Sequence, residues 1–185
     1  MTTTVAARRP RVAPYAAAAV AVVLALFVAL LATRNDNVSA KSRLVGKAAP
    51  PVAGTGFRGD AFDLDRHRGS WVVVNFFSTT CVPCVLEHPE LKEFAQRHSS
   101  DGDASIVSVT FDDSGAAVAA FFRANGGDWP VLIDGTGPIA ISYGVSGVPE
   151  SFLVSREGIV AAKITGGVTA DRLDALIAKF EGRAQ

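Results

Sequence analysis

The sequence lacks features that would place it in several common functional classes. It has no excess of positive charge, because 18 basic residues balance 18 acidic ones and three of the basic ones lie before residue 15. A nucleic-acid partner, which calls for a basic face, is therefore not expected. Nor is there a glycine-rich phosphate loop, since Gly166-Gly167 lacks the GxGxxG spacing. With 49% apolar residues in a chain of 185, one ordinary domain with a short appendage can build its core.

Charge, proline and glycine are also absent from residues 15–33, a run of 19 residues. As an α-helix this run would be about 28 Å long, which matches the hydrocarbon core of a bilayer. Arg8, Arg9 and Arg11 precede it, and this positive-inside bias places the N-terminus in the cytoplasm and everything downstream outside. We therefore predict a cytoplasmic basic segment at 1–14, a single-pass transmembrane anchor in the lipid bilayer at 15–33, a linker at 34–43 and a folded extracytoplasmic domain at 44–185.

A cleaved signal peptide is the alternative for the same N-terminal run. Val38-Ser39-Ala40 has the small-x-small character of a processing site. The apolar run is longer than the usual signal core of about 7–15 residues, which favours a retained anchor. Both hypotheses export the domain, either tethered to the cell membrane or secreted after cleavage.

From residue 44 onward, short β-rich runs alternate with runs of helical spacing, which predicts an α/β sandwich around a central sheet. The run WVVVNFF at 71–77 is apolar enough for a central strand covered on both faces. A hairpin is predicted at 57–64, and Thr169 is the expected N-cap of a closing helix. The other predicted strands are at 104–111, 129–133, 151–155 and 159–165, and the predicted helices are at 85–98, 114–125, 138–143 and 169–180.

Cysteine is scarce: Cys81 and Cys84 are the only two in the chain, and they stand between the 71–77 strand and the helix that follows. At a helix N-terminus, unpaired backbone N–H groups and the helix dipole stabilise a thiolate, which would lower the pKa of Cys81 and make it a nucleophile. Cys84 lies one turn further along the same helix face, where it can attack a mixed disulfide formed by Cys81. The pattern predicts a redox-active dithiol.

Two other interpretations of the cysteine pair carry less weight. A zinc site would use His88 in a Cys-x2-Cys-x3-His spacing, but no further cysteine completes it. A purely structural disulfide is disfavoured because a two-residue loop closes almost no chain entropy. We expect no metal and no cofactor, and we expect the three histidines, His67, His88 and His98, at the surface.

Three motifs carry a family resemblance, in the order NFFSTTCVPC at 75–84, EHPEL at 87–91 and GVSGVPESFLV at 144–154. Together with VGKAAP at 45–50, they resemble the TlpA/ResA/CcmG group of membrane-anchored thioredoxin-like proteins. The resemblance implies a thioredoxin-like three-layer α/β/α sandwich with a central mixed sheet. It also implies a thiol-disulfide reductase of the extracytoplasmic face, which acts on exported proteins with disulfides, typically apocytochrome c, and which an integral-membrane thiol donor recharges.

The same resemblance assigns further site residues. It makes Val148-Pro149 the cis-proline peptide beside the CxxC, where the Val148 backbone would offer a short edge to an extended substrate peptide. Glu87 and Glu150 match acids of the family and are the candidates for taking the proton of Cys84. We expect at least one of the two to be partly buried with a raised pKa.

Three positions depart from the pattern of the family. Phe77 and Thr80 stand where tryptophan is usual, and Asn75 stands where thioredoxins proper carry a buried acid. Asn75 cannot take a proton from the second cysteine as that acid does. The thiol pKa values can therefore differ from those usual in the family.

Other functions stay open on the same residues. A DsbE-like disulfide-forming oxidant would use Cys81 and Cys84 in reverse, because direction depends on the reduction potential. A copper-delivery module is a different class, but related copper carriers space their two cysteines by three residues and the spacing here is two. A peroxidase is disfavoured because no Pro-x3-Thr-x2-Cys pattern precedes either cysteine. We predict an extracytoplasmic protein-disulfide reductase.

Overall fold

The computed structural model describes residues 13–32 and 42–182. The chain divides into two compact units, Met1–Asp36 and Asn37–Gln185. The basic segment predicted at 1–14 and the linker predicted at 34–43 lie outside the described residues, apart from the last two positions of each.

The described part of the first unit is one helix, α1, over Ala13–Ala32. Alanine and leucine, which favour the helix, make up most of its sequence, and its one proline, Pro14, stands in the first turn, where proline is tolerated. The bounds of α1 agree with the predicted run at 15–33 to within two residues. Among the described residues, no helix is both long enough and apolar enough to cross a membrane, so the predicted anchor is not confirmed.

The second unit is built on a five-stranded mixed sheet, and the predicted central sheet is thereby confirmed. A separate antiparallel hairpin precedes the sheet and consists of β1 (Ala53–Thr55) and β2 (Ala61–Asp63). The strands of the main sheet are β3 (Trp71–Phe76), β4 (Ala104–Thr110), β5 (Val131–Ile133), β6 (Glu150–Val154) and β7 (Val160–Thr165). In space they follow the order β5-β4-β3-β6-β7, with β3, β4 and β5 parallel and with β6 antiparallel to both β3 and β7.

Helices cover both faces of this sheet. They are α2 (Val82–Arg97), α3 (Gly115–Asn125), α4 (Pro138–Tyr143) and α5 (Ala170–Glu181). Trp71 and Val73 of β3 pack in one core with α2, α3 and α5, whereas Val74 and the other even-numbered residues of β3 pack in a second core with α4. Because side chains alternate along a strand, the two cores lie on opposite faces and the layers are α/β/α.

The ends of the helices follow from local chemistry. Ser114 caps α3 by accepting from the Ala117 N–H, and Thr169 caps α5 by accepting from the Arg172 N–H, as predicted for Thr169. The short helix α4 ends at Gly144, whose φ of 62° lies in the left-handed region that glycine tolerates best.

Two predicted boundaries differ from the structure. The first hairpin strand lies before the predicted span 57–64, because residues 56–60 form the turn and the Gly56 N–H donates to the Asp60 carbonyl. Helix α2 begins at Val82, three residues earlier than predicted, because the Cys81 side chain caps it and proline is tolerated in its first turn.

The prediction that all three histidines lie at the surface is wrong for His88. Its side chain is buried, and its ring packs against Phe121, Phe122 and Trp129. Its Nε2 lies 2.9 Å from the Gly126 carbonyl oxygen. Burial lowers the pKa of His88, so the ring fits its aromatic surroundings as a neutral group.

His98 lies between two carboxylates that join α2 to its neighbours. Its Nδ1 is 2.7 Å from Asp103 Oδ1 and its Nε2 is 2.9 Å from Asp174 Oδ1, which belongs to α5. Arg97 adds ion pairs to Asp171 and Asp174 of the same helix. Burial opposes the charged form of His98, but the hydrogen bonds with Asp174 and Asp103 outweigh it and raise its pKa.

We expect His98→Gln to lower the free energy of unfolding more at pH 6 than at pH 9. A folded-state pKa raised above the unfolded value of 6.5 contributes stability that is present below that value and is lost as the pH rises through the folded-state pKa. The difference should be on the order of 1 kcal/mol. Urea unfolding of the wild type and the variant at both pH values measures it, and equal losses at the two pH values would contradict the assignment.

Candidate functional site

The two cysteines stand where β3 leads into α2. Cys81 is the N-cap of α2, and Cys84 lies in its first turn. Their sulfur atoms form a disulfide, in which Cys84 is 3% exposed and Cys81 is only partly buried. The Cys84 N–H donates to Cys81 Sγ over 3.3 Å, and the same donor would stabilise a thiolate there. The predicted place of Cys81 at the helix N-terminus is confirmed.

The turn before Cys81 is held by Asp113, a residue that the sequence analysis missed. Its carboxylate accepts from both the backbone N–H and the hydroxyl of Thr79, and also from the Thr110 hydroxyl. Burial opposes ionisation, but these hydrogen bonds outweigh it and lower the pKa of Asp113. The sequence does contain a signal for this residue. Asp113 follows β4, the parallel neighbour of β3, and the ends of parallel strands meet at one edge of a sheet.

The Val148–Pro149 peptide is cis, as predicted. Glu150 is the register partner of Phe76, the last residue of β3. Pro149 therefore lies at the edge of the sheet from which the chain runs on to Cys81. Val148 and Cys81 both pack against the core that contains α2. The structure thus places the cis-proline loop and the CxxC at the same end of neighbouring strands.

Glu87 is buried one turn beyond Cys84 on α2. Its Oε1 accepts from Asn75 Nδ2 over 2.9 Å, and its Oε2 accepts from the Val168 N–H over 3.1 Å. Burial raises its pKa to about 7 although both hydrogen bonds lower it. The expectation of a buried acid with a raised pKa is confirmed for Glu87.

A groove of about 330 Å³ reaches Glu87 from the surface. Apolar side chains and backbone shape most of it, and Leu86, beside Glu87, is 73% exposed. Its lining consists of Pro83, Leu86, Glu87, Glu90, Gly167, Val168 and Thr169. A carboxylate that is buried yet borders an open groove can exchange protons with a group held there.

Glu150 is also buried, but it lies on the other face of the sheet. It is the register partner of Phe76, which packs in the core with α4, whereas Asn75 points to the face of α2. Its carboxylate pairs with Lys163 Nζ at 2.8 Å and accepts from the Ser146 hydroxyl at 2.7 Å. The structure therefore brings Glu87, and not Glu150, to the side of the sheet on which α2 carries Cys84.

The three departures from the family pattern take different positions. Asn75 is buried and donates to Glu87, so the amide positions an acid instead of replacing one. Phe77 is buried and its ring packs near those of Phe121 and Phe122. Thr80 is exposed, with its hydroxyl 3.1 Å from that of Ser78.

A zinc site with His88 does not fit this arrangement, because the imidazole Nε2 is directed to the Gly126 carbonyl oxygen among aromatic rings. Within residues 13–32 and 42–182, no group of three or more potential ligand side chains converges on one point.

Comparisons with known proteins agree with this geometry. The profile of the Redoxin family matches residues 44–177. The thiol-disulfide oxidoreductase ResA of Bacillus thuringiensis is 33% identical over 136 residues, which cover 74% of this chain and 78% of that protein. ResA of Bacillus subtilis is 31% identical over 150 residues, covering 80% of this chain and 83% of its own. A Chlorobium tepidum structure described as a thiol:disulfide interchange protein DsbE superposes with a TM-score of 0.65 at 28% identity, over 71% of this chain and 94% of that one.

The burial of Glu87 predicts a pH dependence of stability that does not depend on its chemical role. The unfolded state releases the proton at about pH 4.5 and the folded state at about pH 7, so the contribution of Glu87 to the free energy of unfolding should fall between these values and then level off. The expected loss is about 3 kcal/mol.

In Glu87→Gln this fall should disappear, and urea unfolding from pH 4 to pH 9 measures it. Glu90→Gln is the matched control, because Glu90 lines the same groove and accepts from the Ala170 N–H. A fall of unchanged size in Glu87→Gln, or its loss in Glu90→Gln, would contradict the prediction.

Proposed function

Because the chain belongs to the Redoxin family and is a thiol-disulfide oxidoreductase of the TlpA/ResA/CcmG type, we propose that it reduces disulfides in exported proteins, with Cys81 attacking and Cys84 resolving. The observation that carries the division of roles is the difference in exposure within one bonded pair. Cys81 caps the helix at the surface, whereas Cys84 is 3% exposed beneath it. A substrate sulfur can reach the first thiol, and only an intramolecular partner can reach the second.

The reaction proceeds in two exchanges that balance. The Cys81 thiolate attacks one sulfur of a substrate disulfide, which forms a mixed disulfide and releases the other substrate sulfur as a thiolate. Cys84 then attacks Cys81 Sγ, which forms the Cys81–Cys84 disulfide and releases the second substrate thiolate. Two electrons pass to the substrate, and a thiol donor must reduce the protein again. An integral-membrane dithiol protein is the donor that we propose.

Glu87 is the group that we propose takes the proton of Cys84. It follows Cys84 by three residues on α2, and side chains at that spacing share a helix face. Burial raises its pKa to about 7, so near neutral pH it is present in both protonation states, which suits a general base. Glu150 was the other candidate, but its carboxylate is paired with Lys163 on the opposite face of the sheet.

Val148 and Pro149 are proposed to bind the substrate. The cis peptide stands directly before β6, and the Val148 backbone lies at the same edge of the sheet as the turn to Cys81. An extended peptide can pair with such a short backbone edge. Its cysteine would then be presented to Cys81.

We propose that this reaction takes place outside the cytoplasm on a domain tethered by residues 15–33. The uncharged run of 19 residues behind Arg8, Arg9 and Arg11 supports the tether and its orientation. The family resemblance of the motifs supports apocytochrome c among the substrates.

Trapping with Cys84→Ser in the native host tests the proposed function. Without the resolving thiol, Cys81 should remain bonded to its substrates, and exported proteins, apocytochromes among them, should be captured in the membrane fraction. The double variant Cys81→Ser/Cys84→Ser is the control and should capture none. Capture of no exported protein beyond this control would overturn the proposal, and a reduction potential near that of DsbA would reverse its direction.

The role of Glu87 has a kinetic test. When the reduced protein meets a small aromatic disulfide, the first thiolate released reports the attack by Cys81 and the second reports the attack by Cys84. The second step should accelerate through about pH 7, where Glu87 ionises, and Glu87→Gln should remove this inflection and slow the step about 100-fold at pH 8.

Glu90→Gln, from the same groove, should retain the inflection, and so should Glu150→Gln on the far face. An unchanged profile in Glu87→Gln would refute the role.

A further inference from the structure

A row of buried polar side chains crosses the centre of the main sheet. Asn75 on β3 is the register partner of Ser108 on β4 and of Ser151 on β6, so the three side chains lie side by side on one face. All three are at most 1% exposed. Trp129 continues the row at one end and Glu87 at the other. In a core of apolar residues such a row persists only if each polar group finds a partner.

In the structure the hydrogen bonds of this row all run in one direction, from Trp129 towards Glu87. The indole Nε1 of Trp129 has a proton and no acceptor capacity, so it donates to Ser108 Oγ, 2.9 Å away. The single proton of Ser108 is then free to donate to Asn75 Oδ1, at 3.2 Å. An amide whose oxygen is engaged in this way turns its nitrogen to the other side.

That nitrogen is the donor that Glu87 receives. Asn75 Nδ2 donates to Glu87 Oε1 over 2.9 Å and to Ser151 Oγ over 3.1 Å. The second oxygen of Glu87 accepts from the Val168 N–H, which is also an obligatory donor. Both carboxylate oxygens therefore face donors, and this arrangement fits the ionised form of the acid.

We propose that Trp129 and Ser108 are positioning residues for the reaction, because their one-way hydrogen bonds fix the Asn75 amide so that it donates to Glu87. Neither residue needs to touch a substrate or a reacting sulfur for this role. The proposal rests on the proposed function insofar as Glu87 serves Cys84. The orientation of the amide itself can be tested without any redox reaction.

The direction of the effect follows from what the amide can do when it is released. If Ser108 loses its hydroxyl, Asn75 can rotate and present Oδ1 to Glu87, where it would accept from the protonated carboxyl. The neutral acid is then favoured, and the pKa of Glu87 rises above about 7. If the amide does not rotate, it still loses the partner that polarises it and becomes a weaker donor, which acts in the same direction.

The other groups around Glu87 are unchanged in these variants, so a shift in its pKa would come from the row of hydrogen bonds. On its own helix, Cys84 is bonded to Cys81 in the oxidised protein, and Glu90 is held by the Ala170 N–H at the start of α5. From β3 and from the loop before α5, it receives the neutral donors of Asn75 and Val168. At the Trp129 end of the row, the titratable neighbour is His88, whose ring centroid lies 5.2 Å from that of Trp129. Ser108 is therefore a cleaner position to change than Trp129.

The experiment compares Ser108→Ala with two controls in the oxidised full chain. A ¹³C NMR titration of the Glu87 carboxyl carbon from pH 4 to pH 10 gives the midpoint directly. Ser108→Thr keeps the hydroxyl and should keep the midpoint of the wild type. Ser105→Ala removes a hydroxyl of the same strand whose oxygen is buried without a hydrogen-bond partner among the described residues, and it should also leave the midpoint in place.

Ser108→Ala should raise the midpoint by about half a pH unit or more. Trp129→Phe should shift it in the same direction, because Ser108 then loses the donor that polarises its hydroxyl and becomes a weaker donor to Asn75 Oδ1. This variant also serves if Ser108→Ala does not fold. An unshifted midpoint in a folded variant would overturn the proposal, and so would an equal shift in Ser105→Ala.

The thiolate-release profile separates this proposal from the proposed function. If the NMR midpoint moves and the second thiolate step moves with it, both are supported. If the NMR midpoint moves and the thiolate step does not, the positioning stands and the role of Glu87 as base for Cys84 fails.

Discussion

Every side chain of β3 is buried, from Trp71 to Phe76, so both faces of the strand need covering elements. This constraint organises the domain, because α2, α3 and α5 take one face and α4 takes the other. It also sets the site. The chain that leaves a strand held so firmly enters α2 at a defined point, and Cys81 becomes the N-cap of that helix. The Cys81 sulfur therefore lies at the positive end of a helix that Leu91 and Phe94 anchor in the core.

Glu87 shows how two opposing effects can place an acid near neutral pH. Burial disfavours its charge, and two donated hydrogen bonds favour it. Burial is the larger effect, which is why the pKa is raised and not lowered. The hydrogen bonds keep the shift moderate, and they come from the amide of Asn75 and from the backbone of Val168. Asn75, which stands where thioredoxins proper carry a buried acid, thus helps to hold Glu87 by donating a hydrogen bond to it.

Glu87 and Glu150 match acids of the family equally well as candidates for taking the proton of Cys84, and the sheet separates them. Both are buried, Glu87 in the second turn of α2 and Glu150 as the first residue of β6. Register decides between them, since neighbouring residues along a strand face opposite sides. Asn75 faces α2 and holds Glu87, whereas the next residue, Phe76, shares its face with Glu150. The Glu150 carboxylate forms an ion pair with Lys163 and accepts a hydrogen bond from the Ser146 hydroxyl. The bond to Ser146 also holds the loop that leads to the cis-proline.

Periodicity and capping, which are local in the chain, predicted the alternation of strands and helices and the place of Cys81 at a helix start. The resemblance of local motifs to a family predicted the mixed central sheet and the cis bond before Pro149. The sequence by itself did not predict the partners of Asn75, the task of Asp113 or the burial of His88. Those depend on contacts between residues far apart in sequence, such as Asn75 with Ser108 or Asp113 with Thr79. Which acid lies on the same side of the sheet as Cys84 likewise depends on tertiary contacts, because the register of β3 against β6 sets the face to which each side chain points.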